Sequence, residues 1–307
     1  MFLQVFTSIL TNCVQKEIRI PTSIVVLWHE AARYWNIDTT DPSWQVQTLA
    51  IRLADLRTSI KDRYLCTSDD IISEALKIDD ALAAIFENPS TLWQYQTEHI
   101  HAYSKLAYRG IYHVYSNDLI AQTWNSIRMC RIFLNEIIST LLLKRLCKVS
   151  LKSLSTGDHT QYSMSMETLK KLATDILESV PQSIGYIPIL KGRSNSVNDA
   201  KLPDSTPTST PRLKRNPDHA VPLHPRFSHP SSIGSLRLSA SQKELPIMRG
   251  STGCLLIWHL YHVGTMNTTT VETRQWIIDV LKFQGQVTGV AQGTLFADIL
   301  EKQIQKV

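Results

Sequence analysis

The chain has 307 residues, 43% of them hydrophobic, enough to bury a sizeable core, while its 11 glycines are too few for a turn-rich β architecture. The net charge of +5 is uneven: Lys191 to Gly250 holds ten Lys/Arg against four Asp/Glu, a surplus of +6, so the remainder carries about −1 and offers no basic face for DNA. The five cysteines (Cys13, Cys66, Cys130, Cys147, Cys254) are never closer than 17 positions, which argues against a zinc site or a disulfide framework and fits a reducing compartment.

Met1 to Leu10 is apolar but lacks a basic leader or a small-residue cleavage site, so it reads as the start of a core helix. That helix runs over about 2–15, with Phe2, Val5, Phe6, Ile9 and Cys13 on one face. Pro21 breaks the pattern, and Thr22 or Ser23 can cap a second helix through Val26, Ala31 and Tyr34. Asp41-Pro42-Ser43 opens a third, carrying Leu49, Leu53, Leu56 and Ile60. The hydroxyls and carboxylates of Thr67 to Asp70 suit the free amides and dipole of a fourth, which Asn88-Pro89-Ser90 ends.

Leu119 to Leu146 reads as one long central helix, with Ile120, Trp124, Ile127, Cys130, Leu134 and Ile138 in phase. Met166 to Ser179 is amphipathic and Pro181 stops it. Cys254 to Val263 is short and strongly apolar. Thr269 and Glu272 have capping-box spacing for a helix ending near Phe283. Gly285, Gly289 and Gly293 recur every four residues, a pattern that either lets helices approach closely or marks a turn and a helix start. A last helix carries Leu295, Ile299 and Ile304. No segment alternates with a two-residue period, so the expected class is all-α. The longest apolar run, near Ile137 to Leu143, is too short to span a membrane.

The expected organisation is 1–190 as the N-terminal helical part, 191–249 as a disordered insertion, and 250–307 as a C-terminal helical part packing on the first. Eight of the 13 prolines fall between Lys201 and Gly250 among many Ser and Thr, a composition that cannot offset ordering entropy by burial. Within it, Thr206 and Thr210 each precede a proline and suit proline-directed phosphorylation beside Arg212, Lys214 and Arg215. The same cations form a weak nuclear-import pattern.

Enzyme signatures are missing. His29-Glu30-x-x-Arg33 puts an arginine where a zinc protease needs its second histidine, and an ordinary helix face explains it. His99/His101 and His259/His262 lack a further ligand at useful spacing and read as core or interface histidines. No nucleophile elbow, phosphate-cradling loop or dinucleotide fingerprint occurs. No catalytic residue, metal ligand or cofactor is expected.

Several blocks are distinctive together: Pro89 to Thr97 around Trp93 and Tyr95, Gly110 to Tyr115, and Trp124-Asn125-x-x-Arg128-x-x-Arg131 running on through Asn135 to Ile138. Asp175-Ile176-x-x-Ser179-Val180-Pro181 and Gly253 to Leu260 around Trp258 follow, and Asn12-Cys13 with Ile20-Pro21 precedes them. In this order they resemble the helical regulatory region of fungal zinc-cluster transcription factors. The resemblance covers most of the chain outside 191–249. It implies a nuclear effector domain with protein partners in the transcription machinery or among co-regulators, a homodimer remaining an option. Apart from the resemblance, the expected location is cytoplasmic.

The six-cysteine cluster of that family has no match here, so neither zinc nor specific DNA binding is carried over. Trp93, Trp124, Arg128, Arg131, Asn135 and Trp258 are the candidate structural or ligand-facing residues, Arg128 and Arg131 being expected to pair with Glu136 or helix carboxyl ends. The alternatives are a small-molecule sensor with its pocket between the long helix and the C-terminal helices, a scaffold, a non-functional relic of such an activator, or an enzyme with no visible site.

Overall fold

The computed structural model describes residues 2–65, 67–100, 105–148, 156–185 and 246–305. The element order is α1 (Phe2–Lys16), α2 (Thr22–Tyr34), α3 (Pro42–Lys61), α4 (Ser68–Ala84), β1 (Tyr95–His99), β2 (Ile111–Tyr115), α5 (Asp118–Lys148), α6 (Thr156–Glu178), α7 (Val180–Ser183), α8 (Pro246–Thr265), α9 (Val271–Thr288) and α10 (Ala291–Ile304). The protein is therefore mostly helical, with one small antiparallel hairpin in which Tyr95 faces Tyr115 and His99 faces Ile111. Met1–Lys191 and Leu245–Val307 form one compact unit. Gly192–Glu244, with Thr206 and Thr210, lies outside the described residues, as do Cys66 and His101.

The strands correct the all-α expectation. Four of the five β1 residues are exposed, while three consecutive residues of β2, His113, Val114 and Tyr115, are buried. Neither strand has one wet and one dry face, so neither shows the alternation that announces a strand.

Helix starts follow local chemistry. Asp41 accepts from the Ser43 amide at 2.9 Å with Pro42 in the first turn of α3, and Thr67 Oγ1 accepts from the Asp70 amide at 3.1 Å at α4. Asn117 Oδ1 accepts from the Ile120 amide at 2.9 Å and opens α5. Two expected caps move. Pro21 occupies the cap position of α2, with no side-chain bond. Thr270, rather than Thr269, caps α9 through the Thr273 amide at 3.2 Å, while the Thr269 hydroxyl donates to the Val263 carbonyl. Helix α6 begins ten residues before Met166 because its first turns are polar and show no apolar stripe. The amphipathic helix ends at Glu178, as expected, and Pro181 sits in the first turn of the short α7, where a missing amide costs nothing.

Helix α5 is the axis, packing against α3, α4, α6, α7, α8 and β2. Ile132, Leu134 and Ile138 on it are wholly buried. The main core runs through α1–α6 and α8–α10, and a smaller cluster of Trp93, Tyr115, Ile120 and Ala121 lies under the hairpin. Arg145 ties the far end of α5 to Asp69 of α4 and to Asp158 of α6. Helix α2 is held differently, burying only Trp28 and Ala31. Trp28 is stacked between Phe6 of α1 and Trp44 of α3, with ring centroids 4.1 and 3.4 Å away.

The glycine repeat serves both of its expected purposes. Gly289, with φ of 71°, takes the left-handed conformation that ends α9. Gly285 and Gly293 let α9 and α10 touch: a Cβ on Gly293 would lie 2.8 Å from the Leu281 carbonyl oxygen and 3.0 Å from the Gly285 nitrogen. Alanine in a helix interior gains about 1 kcal/mol over glycine, but backbone cannot yield as a side chain can, and overpacking costs about 1–3 kcal/mol. Gly293→Ala is expected to be destabilising by about 1–2 kcal/mol net, read as a lower urea midpoint with an unchanged slope.

Candidate functional site

A cavity of about 300 Å³ opens where α1, α3, α5 and α8 meet. Leu10 and Val14 come from α1, Val46 and Ala50 from α3, Met129, Cys130 and Phe133 from α5, and Trp258 and Tyr261 from α8. These are apolar positions in helices that each need a stripe for the core. The cavity forms because four such stripes converge without closing. Its surface is mostly apolar, with polar groups interspersed. Arg57 lies along the wall with its guanidinium over the Phe133 ring at 4.6 Å and its Nη2 donating to Glu17 at 2.7 Å. Gln47, Ser126, His259 and His262 also line it, as do Thr7, Thr11, Gln15 and Gln122. His262 is fixed from outside by Glu136, 3.0 Å from its Nε2. Burial pushes the Cys130 thiol up to about 12, so it is a neutral apolar wall group and not a nucleophile.

The candidate residues divide between two places. Trp258 lines the cavity and packs edge-on to Phe296, with centroids 4.6 Å apart. Trp93, Trp124, Arg128 and Arg131 lie instead toward the hairpin, where the Trp124 indole donates to the Trp93 carbonyl at 2.8 Å and stacks on Phe86 at 3.8 Å. Asn135 is buried and bonds back to the Arg131 carbonyl at 2.9 Å within its own helix. The expected partner of the arginines is corrected. Glu136 serves His262, whereas Arg131 reaches across to Asp79 of α4 with two bonds of 2.8 and 3.1 Å.

Arg128 anchors a buried polar knot. Its Nη1 donates to the Tyr115 hydroxyl at 2.6 Å and to Asn125 Oδ1 at 2.9 Å, and its Nε lies 3.9 Å from Asp175 Oδ2. His113 Nε2 stands 3.0 Å from Glu178, which can only accept from it, so Nδ1 is free to accept from the Tyr115 hydroxyl at 3.2 Å. The order is then one-directional: Arg128 to Tyr115, Tyr115 to His113, His113 to Glu178. Asn125 also donates to Ser179 Oγ at 2.8 Å, and Gln182 makes bonds of 2.6 and 3.1 Å with the Tyr115 backbone. Sequence blocks 60 or more residues apart thus meet in one cluster, which no single block announces. Burial opposes charge on Arg128, yet Tyr115, Asp175 and Tyr95 hold its pKa above the ordinary arginine value. His113, Asp175 and Glu178 bring ligand atoms within 4.8 Å of one another, but the guanidinium already supplies positive charge to that corner.

His113, which is buried, and His259, half-buried in the cavity wall, are both held neutral. Burial lowers the His259 pKa to about 4, with His262 adding to the effect against the Leu255 carbonyl. Burial also lowers His113, helped by Arg128 and opposed by the Glu178 hydrogen bond. A histidine whose folded pKa lies below its unfolded value of about 6.5 takes up its proton more readily in the unfolded chain. Its contribution is complete above that value and is lost as pH falls through the folded pKa. Stability is expected to fall between pH 7 and about pH 4, His259 alone accounting for on the order of 3 kcal/mol. Urea midpoints across this range check it, and His259→Asn should flatten the decline.

The helix-face reading of His29 and Glu30 stands beside an exposed Glu30–Arg33 pair at 3.1 Å. Cys13, Cys130 and Cys147 are free thiols. Among the described residues no helix is long and apolar enough to cross a membrane. In comparisons with known proteins, no family model, no curated protein and no solved structure matches this chain.

Proposed function

We propose that this chain is a non-catalytic helical regulatory domain of the kind found in fungal zinc-cluster transcription factors, and that a mainly apolar small molecule sets its packing. The observation that carries the reading is the cavity of about 300 Å³ walled by four helices, its lining running from Thr7 to His262. A ligand there touches the N-terminal helices, the central helix and α8 at once. It therefore favours the state in which these elements are docked over any state in which one has loosened. The mostly apolar lining, with polar groups such as Arg57, Gln47 and His259 interspersed, supports a ligand with an apolar body that carries hydrogen-bonding groups. The ordered sequence blocks support a nuclear setting and protein partners of the transcription machinery, with the chain acting through those partners and not by reading DNA.

A thermal-shift screen of mainly apolar metabolites tests the reading. A ligand at about a hundredfold its dissociation constant adds about 2.7 kcal/mol, so a rise of roughly 5 °C or more is expected for at least one compound. Ser126→Phe, at a half-buried position on the wall, fills the cavity and should abolish the rise. A flat response across the panel, or a rise that Ser126→Phe leaves intact, sinks the proposal.

A further inference from the structure

Arg128 and Arg131 stand about one turn apart on α5, and each guanidinium has an Nε–Nη2 edge whose parallel N–H groups match a carboxylate. Arg131 has this edge filled by the two oxygens of Asp79, at 2.8 and 3.1 Å. Arg128 is 2% exposed, and of its nitrogens only Nη1 is engaged. Its Nε and Nη2 are buried and find no acceptor within hydrogen-bond reach. Asp175, 3.9 Å from Nε, is too far to close the fork and has Lys171 on the same Oδ2 at 3.1 Å.

This arginine lines a second cavity, of about 240 Å³, between α4, β1, α5 and α6. Phe86, Tyr95 and Trp124 supply aromatic walls, and the Arg128 guanidinium carbon lies 5.4 Å from the Tyr95 ring and 5.3 Å from that of Trp124. Arg128, Arg131 and Lys171 set three cations there against two carboxylates, Asp79 and Asp175. The surplus is one positive charge. A doubly charged ligand such as phosphate would exceed it and press against Asp175.

We propose that this second cavity binds a small aromatic monocarboxylate, its carboxylate on the Nε–Nη2 edge of Arg128 and its ring among Phe86, Tyr95 and Trp124. The side-on bond that Arg131 makes to Asp79 shows the geometry. Aromatic walls select a flat body, and the small volume limits it to one or two rings. The site shares no lining residue with the cavity between α1, α3, α5 and α8, so either can fail without the other.

Calorimetric titration of the full chain with phenylacetate and indole-3-acetate tests it, with phenylacetamide and indole-3-acetamide as uncharged counterparts. The acids should bind and the amides should be weaker by about tenfold or more, because a charged fork is lost. Arg128→Lys keeps the charge but not the fork and should weaken the acids by a similar factor. Ala83→Phe puts a ring into the cavity from a half-buried position, so it blocks the acids even if the arginine variant folds poorly. Ser126→Phe, in the other cavity, should leave them unchanged. Absence of acid binding, equal binding of acid and amide, or acid binding untouched by Ala83→Phe would each overturn the proposal.

Discussion

Trp28→Ala should lower the unfolding free energy by about 3–5 kcal/mol, the largest loss expected from any single truncation in the first three helices. The ring is completely buried and lies between Phe6 and Trp44, so truncation removes two stacked contacts as well as the buried area. It also removes the indole N–H that Thr48 Oγ1 accepts at 3.3 Å, although that hydroxyl keeps its own bond to the Trp44 carbonyl at 3.1 Å. The helix that carries Trp28 has only Ala31 as a second buried residue, with Ile24, Val25 and Ala32 half-buried against the core, so most of its anchoring rests on this ring. Trp28→Phe should lose less, since a ring remains in the stack. Urea denaturation followed by far-ultraviolet circular dichroism gives the midpoints. Equal stability of the alanine variant and the parent would mean that α2 is not held by this stack.

Arg128→Ala should cost a comparable 3–5 kcal/mol for a different reason. The side chain itself is expensive to bury, and its removal leaves the Tyr115 hydroxyl, Asn125 Oδ1 and Asp175 without their shared cation. Arg128→Met separates the contributions. Methionine refills most of the volume, and the Tyr115 hydroxyl still has His113 at 3.2 Å while Asp175 still has Lys171 at 3.1 Å. The methionine variant should therefore recover part of the loss, and the difference between the two variants measures the cavity share. Identical losses would place the whole cost in the polar knot. A methionine variant as stable as the parent would show that the charge adds specificity without net stability.

Much of the helical pattern was legible because caps and apolar stripes are local signals. Asp41, Thr67 and the alternating turns of α3 and α4 mark their helices with neighbouring residues only. The first turns of α6 were not legible, because their stabilising partner, Arg145, belongs to another helix. The hairpin escaped for a related reason. Tyr115 is a strand residue because it pairs with Tyr95 across the hairpin, and Gln182, 67 positions along the chain, bonds its backbone. The candidate residues Trp124, Arg128 and Arg131 could be picked out by type and spacing, but not their partners. Asp79 reads as one of a pair of surface acids until the fold sets it against Arg131. The sequence points to a pocket only between the long helix and the C-terminal helices; that α1 and α3 also wall the cavity had no signal, since a void is a property of four packed surfaces and no residue encodes it.

The contrast between α5 and α2 also sets an order in which the native state comes apart. Amide protons in the middle of α5 sit under side chains from every neighbouring helix, so they exchange with solvent only when the whole unit unfolds. Those of α2 are covered by much less, Trp28 and Ala31 being buried and Ile24, Val25 and Ala32 only half-buried against the core. Local opening there would bare Phe6 and Trp44 while the rest of the protein stays intact. The molecule thus has a cheap partly open form, whose population follows chiefly the grip on the Trp28 ring.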